Sequence, residues 1–109
     1  MTFSPRKRAA STILDISVIV PVLNEAGNIR PLIDEICDAF AGRDFEIIYV
    51  DDASTDDGPA ELEQAIRDIP QLRVLRHEIR AGQSAAIKSA LSVARGDLVG
   101  VLDGDGQNV

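Results

Sequence analysis

The sequence predicts an α/β domain: a mostly parallel, doubly wound sheet with helices on both faces. Three observations predict it. Four short apolar runs, rich in β-branched residues, begin at Ile16, Phe45, Leu72 and Leu98. Their even spacing, a little under thirty residues, is about one strand–helix–strand unit. Between them, apolar residues recur at intervals of three and four, the pattern of a helix with one buried face. The runs themselves are nearly unbroken, which suits strands covered on both sides. Right-handed crossovers then distribute the helices over the two faces.

Taken in order, residues 1–14 read as a flexible N-terminal tail, and residues 15–109 as the domain. The tail carries Arg6, Lys7 and Arg8 but no long apolar segment behind them, so it is not a secretory signal. Residues 16–23 make the first strand. Pro21 has no N–H to give a ladder, which puts the strand's end near Val20 or Pro21. A loop follows, with Asn24 or Asn28 as helix cap. Ile29, Leu32, Ile33, Ile36, Cys37 and Phe40 share one helix face, and Gly42 ends that helix. Residues 45–50 form the second strand and residues 51–58 the polar loop after it. Pro59 suits a first helical turn; Leu62, Ala65, Ile66 and Ile69 mark the helix, and Pro70 helps stop it. Residues 72–75 are a short third strand. Beyond Gly82, Ala86, Ile87, Ala90, Leu91 and Ala94 line a third helix, with Gly96 as its C-cap. Residues 98–102 are the fourth strand.

Composition narrows the chemistry. A chain of 109 residues, 45% hydrophobic, fits one small domain with a real core. Its net charge of −7 argues against nucleic-acid backbones as partners, because those need a cationic face. A nucleotide is compatible, since a metal can neutralise its phosphates locally. Cys37 is the only cysteine, so neither an internal disulfide nor a cysteine zinc cluster is available. A reducing, cytoplasmic setting follows as the expectation. No apolar run reaches the length of a membrane span.

In sheets of this kind, ligands bind beyond the carboxyl ends of the strands. Four loops fall at that edge. Asp103-Gly104-Asp105 ends the last strand, and residues i and i+2 of an extended segment point the same way, so both carboxylates can address one Mg²⁺ or Mn²⁺. Asp–Gly repeats also make ordinary turns. Asp51 and Asp52 follow the second strand and repel each other unless a donor, such as a base or ribose, answers them. Ser54 and Thr55 have a structural role there. Pro21, Asn24 and Glu25 line the first loop; Glu25 can accept from a ribose or base. Gly82-Gln83-Ser84 opens a helix but is no phosphate loop, and G-x-G-x-x-G is absent. Arg80 can pair with a phosphate or with the acidic edge. His77, the only histidine, reads as a surface or loop residue, and no Ser-His-Asp constellation is visible.

Together, residues 18–25 (VIVPVLNE), 50–58 (VDDASTDDG), 82–86 (GQSAA) and 94–107 (ARGDLVGVLDGDGQ) resemble the family 2 glycosyltransferases. The likeness is greatest to those that move a sugar to dolichyl or polyprenyl phosphate. The resemblance implies the Rossmann-like GT-A fold and, for this chain, its donor-binding half, with the acceptor portion lying beyond Val109. It implies that Pro21 and Glu25 frame the base and ribose, and that Asp52, with Asp51 beside it, contacts the base or ribose. Asp103 and Asp105 would form the DxD-type pair, with Asp105 the best direct metal ligand and Asp103 nearer the ribose or a water on the metal. Arg80 stands where the family often has Asn. The implied reaction is metal-dependent, inverting transfer from a UDP- or GDP-linked sugar to a polyprenyl phosphate, at the cytoplasmic face of a membrane. These 109 residues alone are then expected not to turn over. Three other readings compete: a noncatalytic nucleotide-binding or regulatory module, a doubly wound phosphotransfer domain, and a fragment that self-associates through an exposed sheet edge.

Overall fold

The computed structural model describes residues 2–5 and 14–104. Five strands and three helices follow one another: β1 (Thr2–Pro5), β2 (Leu14–Val22), α1 (Ile29–Ala39), β3 (Phe45–Asp52), α2 (Gly58–Asp68), β4 (Leu72–His77), α3 (Gln83–Leu91) and β5 (Gly96–Val101). The strands make one sheet in the order β1-β5-β2-β3-β4. β5, β2, β3 and β4 are parallel, and β1 runs antiparallel against β5. The predicted doubly wound α/β fold is therefore the observed one.

Side-chain alternation along the strands divides the core in two. On one face Val18, Val20, Ile47, Tyr49 and Leu72 meet Ile29, Ile33 and Ile36 of α1 and Leu62 and Ala65 of α2. On the other, Ile19, Ile48, Val50 and Val99 meet Ala86 and Ala90 of α3. Small residues on α3 let it lie close to the sheet. The chain moves outward from β2 to β4, then returns through α3 to place β5 on the other side of β2. The order of strands reverses there, so a crevice opens between the carboxyl ends of β2 and β5, as such switch points require.

Several boundaries differ from the sequence reading, each for a physical reason. The expected N-terminal tail contains β1, whose backbone pairs with the outer side of β5, from Thr2 opposite Val101 to Pro5 opposite Leu98. Ladder bonds of so short a strand leave little mark in sequence. β1 pairs with β5, so the two ends of the sheet among the described residues are β1 and β4. β2 runs through Pro21 to Val22, because β3 continues beside it while β5 pairing ends at Ile19 opposite Val101. The Ile19 carbonyl accepts from Leu102 N–H, so by alternation the nitrogen of Pro21 faces the β5 side, beyond the last pair, and no ladder bond is lost. Gly96 begins β5 instead of capping α3, whose C-cap is Ser92. A β-carbon at Gly96 would collide with the backbone of Ile16 and Ser17, so glycine permits the β2–β5 approach. Neither asparagine caps α1 with its side chain. Glu61 of α2 does so from across the chain: Oε1 accepts from Gly27 N–H at 2.7 Å and Oε2 from Arg30 N–H at 2.9 Å.

Candidate functional site

A cleft of about 280 Å³ opens at the carboxyl edge, between the ends of β2 and β5 and the start of α3. Pro21, Glu25, Asp52, Arg80 and Asp103 line it, together with Gln83 and Gly104. Five of the residues singled out in the sequence thus meet in one place. Asp105 lies outside the described residues. Asp51 does not join them. β3 extends through both acids, and neighbours in a strand face opposite ways. Asp51 lies on the α2 face, in a second hollow with Pro59, Leu62 and Arg76. Its Oδ1 accepts from Ser54 N–H at 3.0 Å, and its Oδ2 stands 3.8 Å from Arg76 Nε.

The first two loops are stitched together. Ser54 Oγ accepts from Asn24 N–H at 2.9 Å, and Asn24 Oδ1 accepts from Thr55 N–H at 2.8 Å. Ser54 and Thr55 therefore have the structural role expected of them. Asn24 holds φ of 55°, a left-handed conformation that Asn tolerates better than most residues. Glu25 Oε1 accepts from Asn28 Nδ2 at 2.9 Å, which steadies its carboxylate at the mouth of the cleft.

Asp52 organises the far wall. Its Oδ1 accepts from Ala81 N–H at 2.9 Å and from His77 Nδ1 at 2.9 Å, and its Oδ2 accepts from Gly82 N–H at 2.8 Å. Burial opposes the charge, but the bonds from Ala81, His77 and Gly82 outweigh it and hold the carboxyl below its ordinary value. Gly82, at φ 98°, gives the turn that brings both amides to one carboxylate. His77 continues the chain: its Nε2 lies 2.9 Å from Ser89 Oγ. The sequence reading placed His77 in a loop and saw no Ser-His-Asp constellation. The structure lines up Asp52, His77 and Ser89 because β4 runs on to His77 and places it opposite Asp52. The third strand's true length was the missing signal; Arg76 and His77 are too polar to extend an apolar run.

On the near wall, Gln83 Nε2 donates to Asp103 Oδ1 at 3.0 Å, tying α3 to the acidic corner. Gly104 is wedged against β2: a β-carbon there would collide with Val22 and crowd the Pro21 carbonyl and Val20. The glycine between the acids is thus a packing requirement as well as a turn. The cleft sets three carboxylates, Glu25, Asp52 and Asp103, against one guanidinium, Arg80. Among the described residues no cluster of three or more His, Cys, Asp or Glu forms a ready metal cage.

The class follows from fold and site together. A doubly wound sheet with acids gathered at its switch point fits the GT-A fold of glycosyltransferases, and comparison with known proteins makes the assignment specific. Residues 17–108 match Glycosyl transferase family 2, and the chain belongs to that family. It is 34% identical over 98 residues to the dodecaprenyl-phosphate galacturonate synthase of Rhizobium johnstonii, covering 87% of this chain and 29% of the relative. The mannosyltransferase PcManGT of Pyrobaculum calidifontis, solved with GDP-Man and Mn²⁺, superimposes with a TM-score of 0.74 at 29% identity, over 91% of this chain and 31% of that one. S. aureus TarS, residues 1–349, solved with UDP-GlcNAc, gives 0.76 at 31% identity, over 84% of this chain and 27% of that one. The chain spans under a third of the length of each of these relatives. No helix among the described residues is long and apolar enough to cross a membrane.

Proposed function

We propose that the protein transfers a sugar from a UDP- or GDP-linked donor to a polyprenyl phosphate, with inversion, and that this cleft holds the donor. The observation that carries the reading is the meeting of Pro21, Glu25, Asp52, Arg80 and Asp103 in one cleft at the switch point of a family 2 glycosyltransferase. The names of relatives that act on polyprenyl phosphates, and of neighbours solved with nucleotide sugars, support it.

In this reading the base lies against Pro21 and the Asp52 wall, and the ribose near Glu25 and Asp103. A carboxylate offers about four acceptor positions. Three on Asp52 are taken by Ala81, His77 and Gly82, which leaves one for a donor on the base or ribose. Arg80, a cation on the cleft wall, meets a phosphate oxygen in this reading. An anionic diphosphate entering a cleft with three carboxylates needs a cation. The donor set is all oxygen, which fits Mg²⁺ or Mn²⁺. Asp103 and Asp105 would hold that cation, which when bound neutralises the diphosphate and eases departure of the nucleoside diphosphate. The acceptor phosphate is already an anion: one of its oxygens forms the bond to the sugar's anomeric carbon as the bond to the diphosphate breaks. That chemistry takes place at the cytoplasmic face of a membrane, where the lipid acceptor resides.

Calorimetric titration of residues 1–109 with UDP and with GDP, each with and without Mn²⁺, tests the donor assignment. Binding is expected to require the metal, and Asp105→Ala is expected to remove that requirement together with most of the affinity. Equal affinity with and without Mn²⁺, or an Asp105→Ala variant that binds like the parent, would sink the assignment.

A further inference from the structure

His77 touches the cleft only through Asp52. Its ring spans three elements: it sits at the end of β4, contacts Asp52 at the end of β3 through Nδ1, and contacts Ser89 on α3 through Nε2, each at 2.9 Å. The ring is mostly buried, with 19% of its side chain exposed, and Asp52 is more buried still at 6%. An ionised carboxylate can only accept, so the hydrogen between Asp52 and His77 sits on Nδ1. In the neutral ring Nε2 must then accept, and Ser89 supplies the hydroxyl hydrogen. One tautomer satisfies every partner: Asp52 selects it, and Ser89, whose hydroxyl can donate or accept, donates to Nε2 and holds the ring in place.

The consequence lies in Asp52. Oδ1 receives two donors, Ala81 N–H and His77 Nδ1–H, and is saturated. Oδ2 receives only Gly82 N–H and keeps one acceptor position. Without His77 each oxygen would hold one backbone donor and keep one open position, so a nucleotide donor could meet either. We propose that His77 is a positioning residue for nucleotide recognition: it fills the second acceptor position of Asp52 Oδ1, so that the remaining position of Oδ2 is the one that serves the base or ribose, with Ser89 holding the His77 ring in place. This rests on the donor reading above and adds two residues to it.

The experiment compares a nucleotide with a ligand that lacks the base and ribose. Affinities for UDP, GDP and inorganic pyrophosphate, all with Mn²⁺, are measured for the parent and for His77→Leu, His77→Asn, Ser89→Ala, Asp52→Asn and the Asp52→Asn/His77→Leu double variant. Leu removes the donor, whereas Asn restores an N–H close to the position of Nδ1. His77→Leu is expected to bind the preferred nucleotide about tenfold more weakly, the scale of one hydrogen bond to a charged group, with pyrophosphate unchanged. His77→Asn is expected to recover most of the loss, Ser89→Ala to show a smaller one, and His77→Leu to add nothing once Asp52 is Asn. Equal losses for nucleotide and pyrophosphate, or additive effects in the double variant, overturn the positioning role while the donor reading stands. A parent that binds pyrophosphate but no nucleotide overturns both. Should His77→Leu unfold, Ser89→Ala and His77→Asn carry the same comparison: a Ser89→Ala variant identical to the parent in nucleotide affinity rejects the supporting role of Ser89.

Discussion

Single residues in this protein do their work by choosing a face. Asp51 and Asp52 are chemically alike and adjacent, yet one answers a loop amide beneath α2 and the other builds the cleft wall. Sequence shows the pair; only the length of β3 shows that the pair is split. Glu46, two strand periods before Val50 on the same face, is the opposite case, a buried acid that no motif announced. It accepts from Ser17 Oγ, Arg73 Nη1 and Arg95 N–H, each at 2.6 Å. Burial pushes its carboxyl up, but the Ser17, Arg95 and Arg73 contacts prevail and leave it below its ordinary value of 4.5. A depressed carboxyl stabilises the fold above its unfolded value and loses that contribution as pH falls through the folded one. The melting temperature is therefore expected to drop as pH is lowered below the ordinary carboxyl value of 4.5. Glu46→Gln is expected to cost about 1–3 kcal/mol at neutral pH and to flatten that dependence. An unchanged pH slope in the variant would assign the acid sensitivity elsewhere.

At the scale of elements, the strand–helix order was legible because buried faces impose periodicity, and periodicity survives in sequence. What was not legible is how elements end. The start of α1 looked like a matter for Asn24 or Asn28, since caps are usually local. Instead Glu61 supplies a carboxylate from α2, where its charge also faces the positive end of the α1 dipole. Asn24 and Asp56 are drawn into the same seam: Asn24 Oδ1 takes Thr55 N–H, and Asp56 Oδ2 takes Ala26 N–H at 3.0 Å. Glu61→Ala is expected to destabilise the fold by about 1–2 kcal/mol, read as a lower urea midpoint with an unchanged slope. An effect confined to a few tenths of a kcal/mol would mean that solvent replaces the carboxylate without loss.

At the scale of the whole molecule, the site is a product of topology. Pro21, Asp52, Arg80 and Asp103 are dispersed along the chain, and the reversal at β2 is what brings them together. The gathering at one sheet edge could be read from four evenly spaced strands with acids at their ends; the strand order that makes the reversal could not. The seating of β1 could not, because an added edge strand is held by backbone bonds that any side chains allow. By pairing with β5 it becomes one border of the sheet in place of β5. Deleting residues 1–5 is expected to make the longer β5 the edge strand and promote self-association, measurable as a concentration-dependent rise in sedimentation coefficient. A truncated chain that sediments like the parent at all concentrations would show that β5 needs no cover.

The Glu61 carboxylate that caps α1 has a temporal meaning too. The residue lies 34 positions after Gly27, whose amide it receives. At ~5–20 residues per second, a nascent chain exposes the start of α1 roughly 2–7 s before its cap has been synthesised. The first helix then waits, half-made, on the second, and the two are completed together.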